Sequence, residues 1–589
     1  AVESLTLEEV NAEAQLLMPH VVDFGDAAAP SPSAMIACAP ATLSDGTPVT
    51  IDTDRLLAVA ARAAAEELEP EPELEIPAEL MGRGDVADLL PDPLVPVDFG
   101  DLDPYDAEAA KHLGVRVSKL ANGARVMVKA LPHEAQRGAL RLTCAGGRAG
   151  EAKLGSAALG ARAVQEGGAF EPWSREQVEL FCVDRLIMVE VTCGEDYITI
   201  DFGFPTPPPK TGGCDGVEAA LQLVHKILMP GAFKWEPDAL QRARLGLQQQ
   251  TETHLYSMEG AAQEALLAQL LGDDARFLSL PNDAADALSL EDVRSCVMAQ
   301  LDPANVEISV VGDVDAERTE RLAREYVGSV PSTNPNPDAD APPGATATTL
   351  PPNPEEPLRV HVSDSDPRAV AYIAGAAPNR LGVLADGRSL VEALLGTADT
   401  SKAPERWRHP LFPAVALSLL QEVANRRLFS VVRERKQLTY DANFHFSDHE
   451  RLNGGWYLVS VTASPANAER ALEACRETLQ GLDGPQPATP DNLEAARRVV
   501  INRHVAELNS NKYWCEQLTG CAMDAVPNKK LAGIRDYVAL AEAVTVKDLQ
   551  VVMKLVNTAD DQIHTCIGTS GTSDGAAPPA DDGPPPASD

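Results

Sequence analysis

Helical and strand periodicities alternate along most of this chain. Thr6-Leu-Glu-Glu9 is a capping box that opens into the helical run Val10-Asn-Ala-Glu-Ala-Gln-Leu-Leu17. Ser33-Ala-Met-Ile-Ala-Cys38 reads as a short strand. Residues 41–113 are Pro-rich and acidic, centred on Glu66-Glu-Leu-Glu-Pro-Glu-Pro-Glu-Leu-Glu75. They read as a linker holding one amphipathic helix near 54–67. From about 114 the pattern turns to strands: Ala124–Leu131 after an Asn122-Gly123 turn, Gly138–Cys144, and two more between 178 and 204. Helices are predicted over 215–229 and 236–271, then a capped helix from Ser289 and a buried strand Val306–Asp313.

After a Pro- and Asn-rich connector at 331–357 the order repeats. Strands are predicted at Arg359–Val362 and Ala369–Ala374, a helix over 411–429, and strands at 440–447 and 455–463. Helices near 466–480 and 490–511, a capped helix from Thr545 and a strand Ile563–Gly568 complete the second pass. Ser289 to Gly312 spans 23 residues, as does Thr545 to Gly568. Each interval holds a capping box, a helix and a buried strand ending in Gly. Equal length and content imply an α+β fold with two copies of one domain, at 114–330 and 358–570. The Thr6 box and the strand near 33–38 resemble the end of a third copy, so the chain is expected to start inside an earlier domain. The Gly-, Pro- and Asp-rich tail from 571 is expected to be disordered.

Composition narrows the function. A net charge of −39 over 589 residues excludes a nucleic-acid binder, which needs a basic face. It fits either a solvated surface or a body that receives basic, extended peptides. Residues 1–110 hold 24 carboxylates against three arginines, so over half of the excess lies in this stretch, most of it in the acidic linker. The ten cysteines form no C-x-x-C pair, and several, such as Cys182 in Val178-Glu-Leu-Phe-Cys-Val183, lie in strand-like apolar runs. That pattern suits buried thiols in a reducing compartment. No run of 18 apolar residues is present, so no helical membrane span is expected. The opening shows no signal-peptide pattern and begins at Ala, as a mature form or a fragment would.

Among the eleven histidines none forms His-x-x-Glu-His or His-Glu-x-x-His. His445, His449 and Glu450 are close in sequence, but Ser447-Asp448 between them reads as a loop, and exposed turn histidines fit as well. His225 and His504 read as packing or surface residues. No Gly-x-Ser-x-Gly elbow or Walker loop occurs, and Gly146-Gly-Arg148 reads as a strand-end turn. The remaining candidate is Arg433-Glu-Arg-Lys-Gln-Leu-Thr-Tyr440, where a helix hands over to a strand. A guanidinium and a phenol on such a corner can both donate to one carbonyl oxygen. The same residues also fit a cationic helix C-terminus followed by a core tyrosine.

With Arg427-Leu-Phe429 and Leu438-Thr-Tyr440 around it, this stretch resembles the C-terminal half of pitrilysin-type zinc metallopeptidases. Phe170–Cys182, Ala371–Asn379, Asn511–Trp514, Pro527–Leu531 and Cys566–Gly568 add to the resemblance, which runs from about 110 to 570. It implies four homologous α/β sandwich domains in two halves of a clamshell. Residues 1–40 would end domain two, 41–113 would link the halves, and 114–330 and 358–570 would be domains three and four. The family's zinc helix lies in its first domain. The matching stretch here, Gly155-Ser-Ala-Ala158-Leu-Gly-Ala161-Arg162, places Ala158, Ala161 and Arg162 where ligands and base would stand. The resemblance therefore implies no metal ligands in this chain and zinc bound by a zinc-bearing N-terminal half, on the same polypeptide or as a separate subunit. Arg433 and Tyr440 would contact substrate and assist catalysis through its carbonyl. The likeness is greatest to members that remove basic transit peptides from precursors in the chloroplast stroma. A non-enzymatic core or scaffold subunit with the same degenerate fold is the competing expectation.

Overall fold

Two sheets of shared topology arise from the alternating runs, as seen in a computed structural model that describes residues 5–22, 36–42, 47–66, 74–89, 104–208, 212–272, 274–332, 356–523, 526 and 529–571. The chain divides into units 1–74 and 75–589. The first holds helices Leu7–Val22 and Thr53–Ala64. The Thr6 box is formed, with Thr6 N donating to Glu9 at 2.8 Å and Glu9 N to Thr6 Oγ1 at 3.3 Å. Residues 36–38 form no strand, which corrects the described part of the strand expected at 33–38. The connector and the tail lie almost wholly outside the described residues.

In the second unit, β1 (Val115–Lys119), β2 (Arg125–Ala130), β3 (Arg137–Ala145), β4 (Met188–Cys193), β5 (Tyr197–Pro205) and β6 (Val306–Gly312) form one sheet. Its order is β1-β2-β6-β3-β5-β4. The other sheet comprises β7 (Leu358–Ser363), β8 (Ala369–Ala377), β9 (Asp441–Phe446), β10 (Gly455–Ala463) and β11 (Ile563–Gly571), ordered β7-β11-β8-β10-β9. Without β1 the two orders coincide. In each, the last strand lies parallel to the first and antiparallel to the second, as β6 does to β2 and β3 and β11 does to β7 and β8. The duplicated intervals are thus duplicated structure. Ser289 and Thr545 both close their capping boxes, on Asp292 and Asp548.

Each sheet buries its own apolar core. One gathers Phe181, Phe202, Leu221 and Tyr326, and the other Phe412, Phe444, Tyr457 and Leu549. Several elements differ from expectation. Val178–Val183 lies in helix Arg175–Asp184, not a strand, because a capping box at Ser174 and Gln177 starts it. The helix expected over 236–271 breaks at Ser257, whose side chain caps Met258–Leu271. Part of the expected linker is packed. Leu80, Met81 and Val86 are buried in the first core, with Leu80 N donating to Gln222 Oε1 and Trp173 Nε1 donating to Leu80 O. Ala109 and Ala110 of helix Pro104–Leu113 are buried as well.

Carboxylates from the first sheet's side accept backbone N–H groups from the second. Glu307 on β6, 1% exposed, accepts from Gly520 N at 2.7 Å and Ala522 N at 2.8 Å. Glu134 accepts from Asn511 N at 2.7 Å, and Asp106 from Ala532 N at 2.9 Å. Asp196 accepts from Glu450 N at 2.8 Å and Arg451 N at 3.3 Å. These bonds, from carboxyl groups on one side to backbone N–H groups on the other, tie the two sheets together.

Candidate functional site

The Arg433–Tyr440 corner begins in helix Phe412–Leu428, whose apolar face (Val415, Leu419, Leu420, Val423) is buried in the second core. The helix does not stop at Leu428. It widens into a π-helical turn, Phe429–Arg435, closed by Lys436 N donating to Val431 O at 3.0 Å. Such turns are rare and concentrate at functional sites. Gln437 follows in the left-handed region at φ 52°, a conformation that costs a non-glycine residue about 1–3 kcal/mol and that the fold imposes here. Val432 and Leu438 are buried and pin the corner from beneath.

The two candidate side chains stand outward from this rigid base. Tyr440 is 88% exposed, which removes the core-tyrosine alternative. Arg433 is exposed too, and its guanidinium lies 4.8 Å from the Phe429 ring centroid. Among the described residues Arg433 has no ion pair and Tyr440 no hydrogen-bond partner, so both keep their donors for a ligand. Beside them lies a groove of about 760 Å³ lined by Asn425, Arg426, Arg427, Phe429, Arg435 and Ala442, among others.

The histidines take other roles. His449 is buried between Phe277 and Trp456, with ring centroids at 5.3 and 4.9 Å, while His445 is exposed on β9. Glu450 accepts from Lys529 Nζ at 2.9 Å. These three residues do not converge. His225 Nδ1 lies 2.7 Å from Tyr326 O, and His504 Nδ1 lies 2.7 Å from Tyr513 Oη. Burial pushes the His504 pKa down to about 4, so this histidine is neutral and structural at pH 7. Gly146–Gly147 forms a turn at the end of β3, at φ 143° and 55°.

Helix Ser156–Glu166 carries Ala158, Ala161 and Arg162, the residues expected in the positions of ligands and base. Arg162 pairs with Glu166 at 3.1 Å, and neither alanine has a donor atom. These residues do not fit a zinc ion. Among the described residues no cluster of three or more His, Cys, Asp or Glu side chains is placed to hold a metal. No described helix is long and apolar enough to cross a membrane.

Comparison with known proteins adds the following. The peptidase M16 inactive domain matches residues 287–500. The chloroplastic stromal processing peptidase of Arabidopsis thaliana is 34% identical over 604 residues, covering 97% of this chain and 46% of that protein. The Pisum sativum protein is 34% identical over 597 residues, covering 96% and 46%. The chain thus spans about half the length of these relatives. Among solved structures, the peptidase M16 inactive domain from Pseudomonas fluorescens superposes with TM-score 0.60 at 18% identity, over 79% of this chain and all of that one. The periplasmic protease PqqL from Escherichia coli gives 0.61 at 14% identity, over 88% of this chain and 50% of that one.

Proposed function

We propose that this chain, which belongs to the M16 (pitrilysin-type) peptidases, is the substrate-binding half of a zinc endopeptidase that removes transit peptides from precursors in the chloroplast stroma. The observation that carries this reading is the Arg433–Tyr440 pair, exposed on a corner anchored by buried Val432 and Leu438, with no ion pair to Arg433 and no hydrogen bond to Tyr440 among the described residues. It is supported by 34% identity to stromal processing peptidases over 97% of the chain. The zinc, supplied by a partner half with its own ligands, would activate the attacking water. This chain's residues would bind and orient. Arg433 and Tyr440 each donate to the scissile carbonyl oxygen and hold it as negative charge develops there. The paired sheets supply the fixed base, so the donors are placed before substrate arrives. The acidic body attracts basic transit peptides by long-range steering.

Photo-crosslinking tests this reading. With Tyr440→p-benzoylphenylalanine in the full-length protein, irradiation is expected to join position 440 to a bound precursor, and unlabelled precursor is expected to suppress the adduct. No adduct, or one that excess precursor leaves unchanged, removes the corner from the substrate path and favours the scaffold alternative.

A further inference from the structure

The groove beside the corner carries charge opposite to that of the whole molecule. Arg426, Arg427 and Arg435 line it, and Arg433 falls within the same ten residues, in a chain whose net charge is −39. None of the four forms an ion pair among the described residues. Arg426, Arg433 and Arg435 are exposed, and Arg427 donates to neutral acceptors only, Gln486 O at 3.1 Å and Asn492 Oδ1 at 2.8 Å. Burial, and after it the neighbouring Arg435 charge, push the Arg427 pKa down. Two acids line the same groove, Glu434 and Asp441, leaving an excess of positive charge.

The groove also runs along a free sheet edge. β9 is the last strand of its sheet, and its inner edge pairs with β10. On the outer edge, side chains of helix Phe412–Leu428 take up some backbone groups. Phe444 N donates to Asn425 Oδ1 at 2.7 Å, Asn425 Nδ2 donates to Phe444 O at 2.9 Å, and Phe446 N donates to Gln421 Oε1 at 3.1 Å. By the two-residue alternation of a strand, the N–H and C=O of Ala442 point the same way as those of Phe444. Ala442 lines the groove, and no side chain among the described residues caps it. The edge is closed at Phe444 and open at Ala442. An open edge beside a groove is where an extended peptide adds as a further strand.

We infer that this groove is a subsite for an extended peptide segment carrying Asp or Glu side chains, seated on the β9 edge at Ala442 with its carboxylates on Arg426 and Arg435. The inference rests on the reading of the corner as substrate-facing and adds a polarity to it. Basic stretches of a precursor are drawn to the acidic body, whereas the segment that reaches the corner is acidic or neutral. Arginine favours this arrangement because its planar fork donates two parallel hydrogen bonds to a carboxylate.

The test is equilibrium binding of rhodamine-labelled twelve-residue peptides to the full chain, read by anisotropy. A Ser/Ala/Thr host carries two Glu, two Gln or two Lys at alternate positions and an amidated C-terminus. The Glu peptide is expected to bind at least tenfold more tightly than the Gln peptide, and the Lys peptide more weakly than either. Arg426→Ala with Arg435→Ala is expected to bring Glu binding to the Gln level, while Tyr440→Phe leaves the Glu-to-Gln ratio intact. N-methylation of alternate backbone nitrogens is expected to abolish binding in one phase and spare it in the other, as strand addition requires. Equal binding of the Glu and Gln peptides overturns this inference and leaves the substrate-facing corner standing. Failure of all three to bind overturns both. A Gln peptide with a free C-terminus that matches the Glu peptide, or polyphosphate that displaces peptides while both N-methyl phases bind alike, also overturns it.

Discussion

If the proposed function holds, Tyr440→Phe in the full-length protein is expected to lower kcat by about 10²–10³-fold, equivalent to about 2.7–4 kcal/mol of barrier, the usual cost of one lost oxyanion donor. The change removes a single hydroxyl. Because the side chain is 88% exposed and has no hydrogen-bond partner among the described residues, it should leave the melting temperature unaltered. Arg433→Ala is expected to cost as much, and Arg433→Lys to restore only part, since an ammonium cannot reproduce the planar fork. KM separates the roles. A donor that acts only as charge develops lowers kcat and kcat/KM together, whereas one that merely grips the ground state raises KM alone. Steady-state kinetics on a precursor, with differential scanning of the same preparations, would check both statements.

Glu307→Ala is expected to loosen the two sheets. It strands the buried N–H groups of Gly520 and Ala522, at about 1–3 kcal/mol for each unsatisfied donor. The effect carries a pH signature. Burial pushes the Glu307 carboxyl up to about 7, while the two N–H bonds, Lys529 and Arg125 pull the other way. The native state therefore holds this proton over a range where the unfolded chain has lost it. Native stability from this group is full below the ordinary carboxyl pKa of 4.5 and falls as pH rises through about 7. The destabilisation caused by Glu307→Ala is thus expected to be greater at pH 5 than at pH 8, by as much as about 3 kcal/mol. Urea melts of the two proteins at the two pH values measure it, and a difference that grows with pH would contradict the assignment.

Local chemistry made the duplication of the fold legible. The capping boxes at Ser289 and Thr545 and the equal spacing to Gly312 and Gly568 marked the duplication that the two sheets display. What stayed hidden was non-local. Glu307 reads as one polar position in an apolar strand, and its partners lie 213 and 215 residues away. Leu80 and Met81 sit in a Pro- and Glu-rich run that looks unable to fold, yet the first core takes them in. Val178–Val183 alternates like a strand, and the Ser174 cap decides for a helix. At the corner, the spacing of Arg433 and Tyr440 was visible, but not their exposure. The π-helical turn keeps helical apolar spacing through Val432, so no residue announces it. The groove arginines were legible one by one. Their shared lack of acidic partners required the fold.

Arg433 and Tyr440 matter to function only if this chain completes a site whose metal is held elsewhere. Precursor turnover by the zinc-bearing half, titrated with this chain, measures that dependence. Turnover is expected to rise with added chain to a plateau, to vanish on chelation, and to be absent for the chain alone. Full turnover by the zinc-bearing half without this chain, or chelator-sensitive turnover by this chain alone with stoichiometric zinc, would contradict the account.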